Sequence, residues 1–165
     1  MSDGMKAGVK VRGSYRLQIE EDGKIVGDSG WKQNQVTNNG FLNFLVRLIG
    51  ASAGSSQIGF VGLGTGGAPA AGDNVLAGEI DDTTDSRVAV TFANQGSTTA
   101  RFTATFASAN SPFTVAHDIS NIGLFAVAMA AGPATQGTVF AGNTYASSSL
   151  ATNQNANITY DLDFS

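Results

Sequence analysis

"IGFVGLGTGGAPAAGDNVLAGEI" occupies residues 58–80, and its reading decides between two folds. Gly62, Gly64 and Gly67 have the G-x-G-x-x-G spacing of a dinucleotide-binding turn. The apolar run "QIGFVGL" (57–63) stands where the strand of such a unit would be. That turn must open a helix within a strand–helix–strand unit, so that the helix N-terminus faces the pyrophosphate. Here Pro69, Gly72 and Gly78 follow, which prevents a long helix from starting. Glu79, Asp81 and Asp82 lie near the distance of a ribose-binding acid, but they stand in a loop, and no Gly-Lys-Ser/Thr of a phosphate loop occurs. The stretch therefore reads as a short strand leaving into a glycine-rich loop. Gly62, Gly64, Gly66 and Gly67 are expected to serve the backbone there, through positive φ and close approach of neighbouring chain. No cofactor is expected.

Outward from this stretch the chain reads mostly as strands and turns. "VKVRGSYRLQIE" (9–20) alternates, with Val9, Val11, Tyr15, Leu17 and Ile19 on one face and Lys10, Arg12, Arg16 and Glu20 on the other. The Asp-Gly of "EEDGK" (20–24) predicts a hairpin into "IVGDSGWKQNQV" (25–36). "SRVAVTFAN" (86–94) and "TARFTATFAS" (99–108) alternate around "NQGS" and predict a second hairpin. Further strands are expected within 111–130, at 139–146 and at 156–165, where Ile158, Tyr160, Leu162 and Phe164 share a face. The polar stretch "NTYASSSLATNQNAN" (143–157) reads as a loop or contact segment. One helix is expected, at about 39–49 in "TNNGFLNFLVRLIG". Thr37, Asn38 or Asn39 caps it, Phe41, Leu45 and Leu48 form its stripe, and Gly50 ends it. It is apolar on most sides and so should be buried. About eight closely spaced strands predict a mainly β fold, an antiparallel β-sandwich or jelly-roll-like domain with one buried α-helix. The chain reads as a single domain, 1–165, with an arm at 1–8, a hairpin at 9–36 and the sandwich core at 37–165.

At 165 residues and 16.9 kDa the chain can bury a real core. It has no cysteine, which removes disulfides and thiol chemistry. No apolar run is long enough for a membrane-spanning helix. The N-terminal segment lacks the apolar centre of a signal peptide, so synthesis in a cytoplasm without export by that route is expected. Charged residues make up only 13% of the chain, against roughly 25% in ordinary domains. A polar surface built from hydroxyls and amides tolerates close contact with other protein and points toward permanent assembly. The net charge of −4 argues against nucleic-acid binding. All nine Lys and Arg lie between Lys6 and Arg101, and those near the start (Lys6, Lys10, Arg12 and Arg16) are the candidate contacts to an acidic partner surface.

Candidate chemistry is sparse. His117 is the sole histidine, and its neighbour Asp118 would face the opposite side of a strand. No serine sits in G-x-S-x-G. "EIDDTTDSR" (79–87) gathers Glu79, Asp81, Asp82 and Asp85 without calcium-loop spacing, and reads as a solvated acidic loop paired with Arg87. Trp31 and the phenylalanines read as core. Neither a catalytic site nor a metal site is expected.

The order of several segments resembles a group of tailed-bacteriophage virion proteins. The pattern comprises "VTNNGFLNFLVRLI" (36–49), the Gly-x-Gly-Thr-Gly of 62–66 with "APAAGDNVL" and an acid, Arg87 before an alternating strand, "DISNIGLFAV" (118–127), "GTVFAG" (137–142) and "ANITYDLDF" (156–164). It spans roughly 36–164. Asn121 stands where the family usually has Glu, and Gly142 where many relatives have Arg; if those charges pair in relatives, a neutral contact replaces them here. The resemblance implies a non-enzymatic, all-β structural part. Its preferred role is a capsid decoration or cement protein, often a homotrimer, bound to the major capsid protein on the capsid surface. A tail, baseplate or fibre component is the alternative. A carbohydrate-binding host-attachment module is the second alternative and would require Trp31 to be exposed.

Overall fold

The computed structural model describes residues 10–40, 42, 57–126 and 138–165. These contain ten strands, β1 (Val11–Glu21), β2 (Lys24–Asp28), β3 (Lys32–Val36), β4 (Phe60–Gly64), β5 (Arg87–Ala89), β6 (Thr91–Gln95), β7 (Thr99–Phe106), β8 (His117–Phe125), β9 (Val139–Leu150) and β10 (Asn155–Phe164). Their pairings are antiparallel, in the order β5-β4-β8-β9-β3-β1-β10-β7-β6, with β2 also on β1. The expected mainly β, antiparallel sandwich class is the one observed, with a single sheet of ten strands folded over on itself.

β1 organises one half. Its alternation buries Tyr15, Leu17 and Ile19. One edge pairs with β10 from Val11↔Phe164 to Glu20↔Asn155. The other edge is shared, with β3 opposite Gly13–Tyr15 and β2 opposite Gln18–Glu21. The hairpin from β1 to β2 turns at Asp22 and Gly23, whose φ values of 48° and 76° suit a tight two-residue turn. β10 passes the sheet on to β7, and β7 to β6.

Two strand segments are shared between this half and the β9-β8-β4-β5 half. β3 leaves β1 after Asn34, so that Gln35 and Val36 pair with Gly142 and Ala141 of β9. On the far side, the single strand expected at 86–94 is broken at Val90. Arg87–Ala89 pairs with β4, Thr91–Gln95 pairs with β7, and the Val90 N–H donates to the Gly59 carbonyl at 2.9 Å. Strands that switch sheets in this way form the corners of a folded-over sandwich. Tyr15, Leu17, Phe102 and Ile158 from one half and Val61, Leu63, Ile122, Leu124 and Phe140 from the other form one continuous core.

Two expectations need adjustment, and a third lies mostly outside the described residues. The polar stretch 143–157 is largely strand, because β9 runs to Leu150 and β10 begins at Asn155. Trp31 and Phe92 are not core: they are 48% and 60% exposed. Of the expected helix, the described part is the turn α1 (Asn38–Gly40) and Leu42, which is 48% exposed, and the rest of 39–49 lies outside the described residues. Thr37 caps that turn, its Oγ1 accepting the Gly40 N–H at 2.9 Å and donating to the Val139 carbonyl at 2.8 Å.

Candidate functional site

Parts of the segments quoted above, residues 58–80, Arg87, 118–126 and 138–142, meet at one place. Register places Gly62 of β4 opposite Gly123 of β8, and Gly123 opposite Gly142 of β9. Three glycines in a row leave a trough without side chains across three strands. The chain after β4 folds back over it. A Cβ on Gly62 would lie 2.9 Å from Glu79 Oε1 and 3.1 Å from the Phe125 ring. One on Gly142 would lie 3.0 Å from Pro69 and overlap the Ile122 carbonyl. Leu76, Phe125 and Val139, with Phe60 against them, form a small second core between the returning chain and this sheet face.

Glu79 and Arg87 close one end of the trough. Arg87 Nε and Nη2 donate to Glu79 Oε1 and Oε2 at 2.5 and 2.9 Å, and both side chains are almost wholly buried. The guanidinium carbon sits 3.6 Å from the centre of the Phe125 ring, a cation–π contact. Burial pushes the Glu79 carboxyl up, against the hydrogen bonds and charge of Arg87. At the other end Asn121 Nδ2 donates to the carbonyls of Gly67 and Ala77 at 2.9 and 2.8 Å. The neutral residue at 121 thus ties the two limbs of the returning chain to β8, and Ser120 Oγ adds a bond to the Gly66 carbonyl at 3.0 Å.

The glycines of 62–67 divide by role. Gly62, Gly64 and Gly66 lie where a Cβ would meet neighbouring protein atoms, while Gly67 has open space around its Cβ direction. None of the four has positive φ, contrary to that part of the expectation. The left-handed glycine here is Gly78, at φ 60°, whose carbonyl accepts the Thr65 N–H at 2.9 Å. The stretch packs on protein backbone, and no helix follows it among the described residues.

The acidic loop is only partly solvated. Glu79 is buried on Arg87, whereas Asp81 and Asp85 are exposed. Asp82 Oδ2 accepts the Thr114 N–H and Oγ–H at 2.8 and 3.0 Å and lies 2.9 Å from His117 Nε2. Burial acts to raise the Asp82 carboxyl, but the bonds from His117 and Thr114 outweigh it and hold the group below its ordinary value. His117 is therefore tied to Asp82 and not to its neighbour Asp118, and the pair joins the acidic loop to the start of β8. Among the described residues no three His, Asp or Glu side chains are grouped as a metal site.

Of the basic candidates, Lys6 lies outside the described residues. Lys10 and Arg12 are exposed, with Arg12 opposite Asp163. Arg16 is engaged: its Nε and Nη2 donate to Asp28 Oδ1 and Oδ2 at 3.0 and 2.5 Å. Sequence reasoning missed what that ion pair supports. Asp28 Oδ1 also accepts the Gly30 N–H at 2.8 Å, and Ser29 exchanges bonds with the Leu17 backbone at 2.9 and 3.0 Å. Gly30 takes φ 62°, and the next residue is the half-exposed Trp31. Its ring lies 5.9 Å from the guanidinium carbon of Arg101, which forks onto Asp161 at 2.7 and 2.8 Å. The Asp-Ser-Gly-Trp run at 28–31 was the available signal, a polar turn ending in an aromatic. No protein-family model, curated protein or solved structure matches this chain.

Proposed function

We propose that this protein is a structural component of a tailed-bacteriophage virion, specifically a decoration or cement protein on the capsid surface. A homotrimer would clamp neighbouring major capsid subunits, so that many modest contacts act together. The observation that carries this reading is the ordered set of motifs across 36–164, whose glycines, acid and arginine converge on one buried framework cluster. Gly62, Glu79, Arg87, Gly123 and Gly142 support a surface instead of forming one, which suits a static part. Charge economy supports the same reading: Arg16, Arg87 and Arg101 are all spent on internal partners. The exposed Lys10 and Arg12 are the proposed capsid contacts. The test is copy number in purified particles, read from a stained gel. Hundreds of copies per particle are expected; tens would place the protein in the tail or fibre, and none would end the virion reading.

A second reading, host attachment through glycans, is favoured by one specific observation. Hydrogen bonds of Asp28 and Ser29 build a loop whose exposed product is the Trp31 indole, beside a polar Arg101–Asp161 pair. An aromatic face with planar polar groups at its edge suits a saccharide ring. Glycan-array binding that is lost in Trp31→Ala would establish it, and an array without signal would remove it.

A further inference from the structure

The largest buried side chains of the core include two tyrosines, Tyr15 and Tyr160, which lie opposite each other on β1 and β10. Their rings stack at 5.8 Å between centres, and Tyr145 of β9 meets Tyr15 edge-on at 6.4 Å. Tyr15 and Tyr160 are fully buried and Tyr145 is 8% exposed, yet none of the three hydroxyls has a hydrogen-bond partner in the protein. A fourth group lies one inward step along β1. Asn34 faces Gly13 so closely that a Cβ there would overlap its amide, and both amide atoms are buried and unpartnered. Beside Asn34, where β3 leaves β1 for β9, a cavity of about 400 Å³ opens between Val11, Gly13 and Val36.

Buried hydroxyls and amides in native proteins are almost always satisfied, by protein or by ordered water. An apolar interior filled by Leu or Phe would have served packing equally well. Three buried, unpartnered hydroxyls on mutually packed rings from both halves of the sandwich supply the two to four polar partners that an enclosed water needs. We propose that Tyr15, Tyr145 and Tyr160 form an internal water-binding site that joins the two halves of the sandwich.

The inference is independent of the virion role, and two measurements test it. In the wild-type protein, labelled for NMR, magnetisation transfer from water to the ring protons of all three tyrosines is expected with the sign of a long-lived bound water. Its absence overturns the proposal, whatever the variants do. In Tyr15→Phe, Tyr145→Phe and Tyr160→Phe only the hydroxyl oxygen is lost. A water-bridged hydroxyl then shows as a Tm lower by about 2–4 °C in each variant. Unpartnered, dry hydroxyls give the opposite sign, so a Tm that holds or rises in the three variants also overturns it. Should a variant fail to fold, the wild-type measurement decides.

Discussion

At the scale of single residues, the Arg87–Glu79 pair and Asp28 make separable predictions. Removing one partner of a buried ion pair strands the other charge, so Arg87→Ala should lose about 3–5 kcal/mol in urea denaturation. Arg87→Met with Glu79→Leu should recover most of that loss, because two apolar side chains need no partner. Asp28 is held well below the ordinary carboxylate range, chiefly by the hydrogen bonds from Arg16 and then by the Gly30 N–H, with burial opposing. A lowered carboxylate contributes stability that is complete above its unfolded value, about pH 4, and is lost as pH falls below it. Asp28→Asn should therefore lower Tm at pH 7, and its difference from wild type should shrink as Tm is followed down toward pH 2. That Arg87 pairs with the loop at 79–85 is legible from charge spacing. Which acid it takes is not, because Glu79 is selected by a trough that forms only when three distant strands align.

The element scale separates glycines by what surrounds them. A Cβ on Gly64 would overlap the Asn121 amide oxygen and lie 2.9 Å from the Gly78 carbonyl, so Gly64→Ala should cost about 1–3 kcal/mol. Gly67→Ala meets nothing within 4 Å and has no positive φ, so it should stay within roughly 0.5 kcal/mol of wild type. Thermal unfolding of the two variants side by side checks the contrast, and equal losses would refute the packing role. β1 and β10 are legible as strands because each has one buried and one solvated face. β9 past Ala146 is not, since its three serines offer little hydrophobic contrast and its order comes from pairing with β8. The break at Val90 is equally silent, because Val and Thr suit either sheet and only the Gly59 carbonyl decides where the strand turns.

For the molecule as a whole, the expected assembly predicts a particle three times the chain mass in light scattering of the purified protein. Lys10→Glu with Arg12→Glu should weaken binding to undecorated capsids, and unchanged binding would remove those two residues from the contact. The β class was legible from spacing and turns, but the closure of the sandwich was not. It depends on β3 and the β5–β6 run each serving both halves, a property of pairing and not of any local pattern. The pairing of β1 with β10 has one more consequence, in time. Val11 pairs with Phe164, and the backbones of Lys10 and Ser165 exchange bonds at 2.7 and 2.9 Å. At about 5–20 residues per second, a ribosome needs roughly 7–30 s after completing β1 to deliver β10. Through that interval β1 can hold its hairpin with β2 while its long opposite edge waits open. The nascent chain therefore carries a bare, half-apolar strand until β10 arrives, and a holding chaperone or a slower supply of chain should raise its yield.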